Sequence, residues 1–201
     1  LWTGWNAIAD RENFIVVYPN GTGSPQRWNA GQSPYITDGA PVVDDVAFFR
    51  DLFDTLDKTL CIDDAQLFVN GLSNGGGMSN RLACEMADRI AAIGTVAGAY
   101  SPIPGGCNPT RPIPVIAFHG DADPLVNYNG DPAQQFPLIQ QWAADWAKRN
   151  GCQKGPDTLP DQGEVSGVTY SDCALNADVI LYTVHGGGHT WPGGVPIPFL
   201  G

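Results

Sequence analysis

Short apolar runs alternate with amphipathic segments along most of the chain. Runs rich in β-branched and aromatic residues predict buried strands, whereas apolar residues that recur every three or four positions predict helices with one buried face. Alternation of the two predicts an α/β protein with a mostly parallel sheet and helices on both faces. Strands are expected at 14–18, 65–70, 93–97, 113–118 and 178–184, with an edge strand at 164–171.

Three segments have the spacing of helices with one apolar face. The apolar stripe at 46–60 predicts a helix that opens at Pro41 and carries Asp44 and Asp45 in its first turn. Proline is favoured at that position, and carboxylates there are stabilised by the positive end of the helix dipole. The other two helices are expected at 76–88 and 136–150, and residues 1–10 read as the middle of a further helix.

Composition narrows the class of protein. A chain of 201 residues with 43% hydrophobic residues is expected to fold as one globular domain over 1–201. The net charge of −11 argues against a nucleic-acid partner, which requires a basic face. No apolar stretch approaches the roughly 18 residues of a membrane helix, so no membrane partner is expected.

Five cysteines favour an oxidising compartment, so we expect a secreted protein. The pairing that we expect is Cys152 with Cys173 and Cys84 with Cys107, which leaves Cys61 over, although spacing alone does not determine connectivity. No cysteines form a C-x-x-C pair and the histidines are not interleaved with them, so no metal site is expected. The absence of a signal peptide says nothing about export.

Residues 71–75 form a G-x-S-x-G pentapeptide between a predicted strand and a predicted helix. In that context the pattern is typical of a nucleophile elbow, where small neighbours permit a tight turn that exposes a serine hydroxyl above the sheet. Ser73 is therefore the candidate nucleophile. The backbone N–H of Asn74 is the candidate donor to a developing oxyanion.

Acidic residues and histidines follow two later strands. Asp121 and Asp123 come after the strand at 113–118, and His185 and His189 after the strand at 178–184. Catalytic groups of open α/β sheets gather at the carboxyl ends of strands, and the order Ser, Asp, His is that of α/β-hydrolases. The serine requires an imidazole to take its proton, and the imidazole requires a carboxylate to fix its tautomer.

At this point the chain resembles the polyhydroxybutyrate-depolymerase-like esterases, which include feruloyl and acetyl xylan esterases. The matching motifs are G-L-S-N-G-G-G-M-S at 71–79, H-G-D-A-D-P-L-V at 119–126, G-G-G-H-T-W-P-G-G at 186–194, W-N-A-I-A-D at 5–10 and Y-P-N-G at 18–21. The resemblance implies an α/β-hydrolase fold with Ser73 as nucleophile, Asp123 as acid and His189 as base. It also implies short-chain, aromatic or polyester substrates and no cofactor.

Several of these residues could have a structural role instead of a catalytic or binding one. His119 is expected to form a hydrogen bond within its own turn, and one of Asp121 and Asp123 to cap the turn after the strand. The spacing of His185 and His189 occurs in metal sites, but three intervening glycines argue against a helix that would hold them parallel. The aromatic side chains that could flank the substrate, or simply pack in the core, are Trp191 and Trp28.

One departure from the family concerns the second oxyanion donor. In this fold that donor follows an earlier strand, and relatives carry the strand and a His-Gly loop upstream of the segment that matches Trp5. We therefore expect an α/β-hydrolase domain that lacks the N-terminal strands, with an exposed sheet edge. A loop near 18–22 could complete the oxyanion hole, or the natural protein could carry the missing strands and donor outside this sequence. The alternative function is a catalytically impaired binding module or an inactive fragment.

Overall fold

A computed structural model describes residues 3–32 and 43–194. Six strands form one sheet in the order β1-β2-β3-β6-β5-β4. Neighbours from β1 to β6 in that order are parallel, and β5 and β4 are antiparallel to theirs. The strand bounds are β1 Phe68–Leu72, β2 Ala92–Val96, β3 Val115–Gly120, β4 Lys154–Gln162, β5 Val165–Ser171 and β6 Val179–Val184. The predicted mostly parallel α/β architecture is thereby confirmed.

Helices pack against this sheet and against one another. α3 contacts β1 and β2, whereas α4 contacts β5 and β6. Trp142 and Trp146 of α4 both donate an indole N–H to the buried Oδ1 of Asn80 on α3, at 3.1 and 2.9 Å. This shared acceptor satisfies two buried donors at once and fixes the register of the two helices. The helix bounds are α1 Trp5–Glu12, α2 Asp45–Thr59, α3 Asn74–Glu85 and α4 Ile139–Arg149.

The strand predicted at 14–18 is wrong. These residues have no regular secondary structure, and Ile15 is 56% exposed. A strand requires a hydrogen-bonded neighbour, and among the described residues β1 pairs only with β2, which leaves its other edge open. The segment therefore has the composition of a strand, but among the described residues it has no neighbouring strand to pair with.

The far edge of the sheet also differs from expectation. β5 lies between β6 and β4, so the predicted edge strand at 164–171 is an interior one. The actual edge is β4, a nine-residue strand that is exposed along almost its whole length. Pro156 and Pro160 interrupt it, and proline and charged residues are typical of edge strands that resist pairing with other chains.

The start of α2 requires a second correction. Asp44 is the N-cap rather than a first-turn residue, because its side chain accepts a hydrogen bond from the Ala47 N–H at 3.0 Å. Asp45 is the first helical residue and is almost fully buried, with its carboxylate accepting the Asn29 N–H at 2.6 Å. Burial raises the pKa of Asp45. The predicted start at Pro41 lies outside the described residues.

Two disulfides connect the helices to neighbouring loops. Cys84 at the end of α3 bonds to Cys107, and Cys152 after α4 bonds to Cys173. Cys61 is exposed and unpaired. The expected pairing is thereby confirmed. In the part of the chain that the structure describes, no helix combines the length and the apolar character needed to span a membrane.

Candidate active site

Ser73 occupies a strained turn between β1 and α3. Its backbone has φ 57° and ψ −121°, a region that a residue with a Cβ rarely adopts. The surroundings hold it there: the Ser73 N–H donates to the Val96 carbonyl at 2.9 Å, and the Ser73 carbonyl accepts from the Gly77 and Ala99 N–H groups at 3.0 Å each. Strain of this kind persists only when neighbouring structure enforces it, and it concentrates at functional sites.

The two glycines of the pentapeptide have different roles. A Cβ on Gly71 would overlap the Gly75 backbone, whereas a Cβ on Gly75 would meet nothing within 4 Å. We expect Gly71→Ala to destabilise the protein by about 2 kcal/mol, as overpacking typically does, and so to lower Tm by at least about 4 °C.

Gly75→Ala is the matched control for that prediction. It lies inside α3, where alanine is favoured over glycine by up to about 1 kcal/mol. Thermal unfolding of the two variants followed by circular dichroism checks both results. Equal stability of the two variants would show that the close approach at Gly71 does not shape the turn.

Asp123 and His189 meet at the same edge of the sheet. Because β3 and β6 are parallel neighbours, the loops that follow them lie side by side. The His189 Nδ1–H donates to Asp123 Oδ2 at 2.8 Å, and both side chains are buried, at 4% and 5% exposure for the two residues. This is the hydrogen bond with which a carboxylate orients an imidazole base.

The Asp123 carboxylate is held on its other oxygen as well. Oδ1 accepts the Leu125 and Val126 N–H groups at 2.8 and 2.9 Å. Burial raises the pKa of Asp123, but the hydrogen bonds from His189 and from these two backbone groups outweigh it and bring the pKa below its usual value. The carboxyl group is therefore ionised at neutral pH, as an acceptor for an imidazole must be.

A second Asp–His pair links the same two loops nearer the solvent. Asp121 Oδ2 accepts from His185 Nδ1 at 2.9 Å, and Asp121 Oδ1 accepts the Gly186 N–H at 2.7 Å. His185 Nε2 lies 2.9 Å from the hydroxyl of Ser166. The hydrogen bonds from His185 and then Gly186 lower the pKa of Asp121. The four residues left open by the sequence thus form an inner buried pair and an outer exposed pair.

A cavity of about 400 Å³ opens beside Ser73. This volume suits a small organic ligand. Its wall includes Leu125 and Val126, whose N–H groups hold Asp123. The lining residues are Arg27, Ala30, Gly31, Ser73, Asn74, Ala99, Ser101, Leu125, Val126, Gln134 and Phe136. A larger hollow of about 470 Å³, next to α2 and α3, is lined by Arg50 and Arg81 and has no nucleophile.

The structure does not join Ser73 to His189 directly. Within residues 3–32 and 43–194, the Ser73 hydroxyl forms no hydrogen bond with the His189 ring. Hydrogen bonds between a nucleophile and its base are often long in free enzymes and tighten only when substrate binds. The geometry therefore supplies an oriented imidazole and a half-buried serine turn at the carboxyl ends of the strands, and the two are not hydrogen-bonded to each other.

Asn74 is fixed by Trp28. The Asn74 side chain accepts the Trp28 N–H at 2.7 Å and donates to the Trp28 carbonyl at 3.0 Å. Its backbone N–H is at the first position of α3, where no intrahelical acceptor exists. Among the described residues this N–H has no backbone acceptor, so it is available to an anion, as the proposed oxyanion role requires.

The two candidate substrate-binding tryptophans lie elsewhere. The Trp28 ring packs on Phe48 and Phe49, with centroids 6.0 and 5.0 Å apart. Trp191 makes an edge contact with Trp5 at 6.3 Å. Neither ring lines the cavity beside Ser73, so their contact with substrate stays a prediction.

Two further sequence expectations concern a metal site and the loop at 18–22. Among the described residues, no group of three or more His, Cys, Asp or Glu side chains could hold a metal ion. The loop near 18–22, which could supply a second oxyanion donor, does not line the cavity; Arg27, Ala30 and Gly31 do so.

Comparison with solved structures identifies the fold. An acetyl xylan esterase from Aspergillus awamori superposes with a TM-score of 0.69 over 97% of this chain and 78% of the other, at 17% sequence identity. The chain thus has an α/β-hydrolase-like fold, as its motif order predicted.

Sequence comparison gives closer relatives. Feruloyl esterase B of Piromyces equi is 36% identical over 89% of this chain, and feruloyl esterase C of Emericella nidulans is 32% identical over 94% of it. The chain spans only 34% of the first protein and 61% of the second. No protein-family model matches the chain. The resemblance to feruloyl esterases is thereby confirmed, and the acetyl xylan esterase shares the fold.

Proposed function

We propose that this chain is the catalytic part of a serine carboxylic-ester hydrolase. Ser73 is its nucleophile, His189 its general base and acid, and Asp123 the carboxylate that orients His189. The observation that carries the proposal is the buried Asp123–His189 hydrogen bond at the sheet edge to which the strained Ser73 turn belongs. The esterase relatives support the same reaction class.

The reaction follows from these roles. His189 Nε2 takes the proton of Ser73 as the oxygen attacks the ester carbonyl, and Asp123 favours the imidazolium that forms. The Asn74 N–H stabilises the oxyanion of the tetrahedral intermediate. The intermediate collapses to an acyl-serine, and His189 gives its proton to the departing alkoxide. Water then repeats the sequence, releasing the carboxylic acid and restoring Ser73.

The cavity favours an acyl group of moderate size. Leu125 and Phe136 give it apolar surface, and Gln134 and Arg27 give it polar groups. We infer short-chain and aromatic, feruloyl-type esters as substrates, with polyesters such as polyhydroxybutyrate and terephthalate polymers as further candidates. No cofactor takes part. The two disulfides agree with a secreted enzyme, because such bonds persist in oxidising compartments.

A fluorophosphonate ester tests the proposal directly. The Ser73 oxygen displaces fluoride from phosphorus, so the folded protein gains one phosphonyl group per chain, on the peptide that contains residue 73. Ser166 is the internal control, because its hydroxyl contacts a histidine but lies outside the cavity. Labelling at Ser73, together with a burst of p-nitrophenol from p-nitrophenyl acetate, supports the esterase. Absence of both would leave a binding module or an inactive fragment.

A further inference from the structure

A third histidine lies against the Asp123–His189 pair. His119, at the end of β3, is 2% exposed, and its Nε2 lies 2.8 Å from the Val126 carbonyl oxygen. This contact confirms the expected hydrogen bond within its own turn. The same nitrogen is 3.5 Å from Asp123 Oδ2, the oxygen that accepts the His189 N–H.

These contacts fix the tautomer of His119. A carbonyl oxygen can only accept, so Nε2 must carry the hydrogen. Nδ1 is buried and has no hydrogen-bond partner among the described residues. A proton on Nδ1 would be a buried donor without an acceptor, so the ring is neutral. Its Nε2–H edge faces both the Val126 carbonyl and the Asp123 carboxylate.

We infer that His119 is a positioning residue for the proposed esterase: its Nε2–H holds the Asp123 to Val126 turn so that Asp123 Oδ2 stays directed at His189. The inference rests on the proposed function. Val126 links His119 to Asp123, because its N–H donates to Asp123 Oδ1 while its carbonyl accepts from His119. Loss of the His119 donor would free the carbonyl side of this turn and let the carboxylate rotate.

The surroundings agree with a neutral ring. Burial lowers the pKa of His119, against the opposing effects of the Val126 hydrogen bond and the Asp123 charge, and a charged His189 lowers it further. The other polar neighbour is Tyr128, which meets the ring edge-on at 5.9 Å and whose hydroxyl bonds to Thr183 of β6. A protonated His119 would compete with His189 for Asp123, so neutrality protects the inner pair.

Two substitutions of His119 distinguish the effect of its N–H donor from the effect of the volume of its ring. Glutamine places an amide N–H at a reach similar to that of Nε2, whereas leucine fills similar space with no donor. We expect His119→Leu to lower kcat by about 10- to 100-fold, with KM within about twofold, because a shift of about 1 Å in a group that orients the reacting atoms can cost about 100-fold. The acid limb of the kcat/KM profile should move to lower pH, since a misaligned carboxylate favours the imidazolium less. His119→Gln should recover most of kcat.

Asn150→Leu is the control for simple destabilisation. Asn150 is as buried as His119 but bonds to Ile113 and Ala177 at the opposite end of the sheet strands. It should lower Tm without moving the pH profile. If His119→Leu changes activity only in proportion to Tm, as Asn150→Leu does, or if His119→Gln is as impaired as His119→Leu, the positioning role is wrong.

Imidazole ¹H–¹⁵N correlation spectra test the inference without using activity. In the wild-type protein His119 should show the neutral Nε2–H pattern, and the His189 Nδ1–H should give a low-field proton resonance that His119→Leu weakens or shifts. A charged or Nδ1–H pattern for His119, or an unchanged His189 resonance in the variant, overturns the inference. Failure of the esterase proposal itself is seen separately, as equal turnover by wild type and Ser73→Ala.

Discussion

Ser73→Ala is expected to lower kcat for p-nitrophenyl acetate by about 10⁶-fold, the order of the loss that follows removal of the nucleophile of a serine protease. The reason is chemical rather than structural: alanine has no oxygen to form the acyl intermediate, while its Cβ fits the same turn. Residual hydrolysis would come from the Asn74 N–H and the cavity alone. Initial rates and the burst amplitude measure the effect.

The fold should survive this substitution. The contacts that hold the turn are made by the backbone of residue 73, to Val96, Gly77 and Ala99, so Tm should stay within about 2 °C of wild type. Ser166→Ala is the matched control, because it removes a serine hydroxyl that contacts a histidine outside the cavity, and it should keep activity within about threefold. Full activity of Ser73→Ala, or its loss in Ser166→Ala instead, would move the nucleophile away from residue 73.

Local chemistry explains which parts of the fold could be predicted from sequence. The turn at 71–75 is determined by residues within five positions, because the Cβ conflict at Gly71 involves Gly75 itself. Strand and helix positions around it followed from apolar periodicity for the same reason. The expected pairing of Cys84 with Cys107 was also correct, although these residues lie 23 positions apart and spacing alone does not determine such a pairing.

Pairing between distant segments explains what could not be predicted. The run at 14–18 has strand composition but no described neighbour, and composition does not report whether a neighbour exists. β4 was missed for the opposite reason: almost every residue in it is exposed, so it has no alternation of apolar and polar positions, yet β5 supplies its hydrogen bonds. Propensity reflects such packing more than the backbone itself.

The sequence could place two acids and two histidines at one edge, but it could not rank them by burial. Asp121 and Asp123 are two residues apart, and His185 and His189 four, so either combination satisfied the motif order. Burial depends on which side of each loop the tertiary fold covers. The structure makes Asp123–His189 the covered pair and Asp121–His185 the exposed one. It also showed that His119 faces this carboxylate, for which the only sequence signal was its place in the H-G-D-A-D motif.

Asp123→Asn is expected to reduce kcat by about 10⁴-fold, or about 5.5 kcal/mol of transition-state stabilisation. The amide preserves the shape of the carboxylate, but it cannot favour the imidazolium, and its NH₂ group favours the wrong His189 tautomer. Asp121→Asn should cost less than about threefold, because the pair that it weakens is solvent-exposed, where such contacts contribute little. Steady-state kinetics of the two variants at pH 7 and 8 checks the ranking.

The pair of variants separates the inner contact from the outer one because both replace a histidine-bound carboxylate with the same amide. Asp123→Asn removes a buried charge whose two oxygens accept hydrogen bonds from His189, Leu125 and Val126. Asp121→Asn removes an exposed charge that accepts hydrogen bonds from two donors, His185 and Gly186. A loss of stability common to both would appear in Tm and not in the kcat ratio. The reverse ranking, with Asp121→Asn the more damaged enzyme, would assign the acid to Asp121 and the base to His185, and the half-buried Ser166 would then have to be reconsidered as their partner.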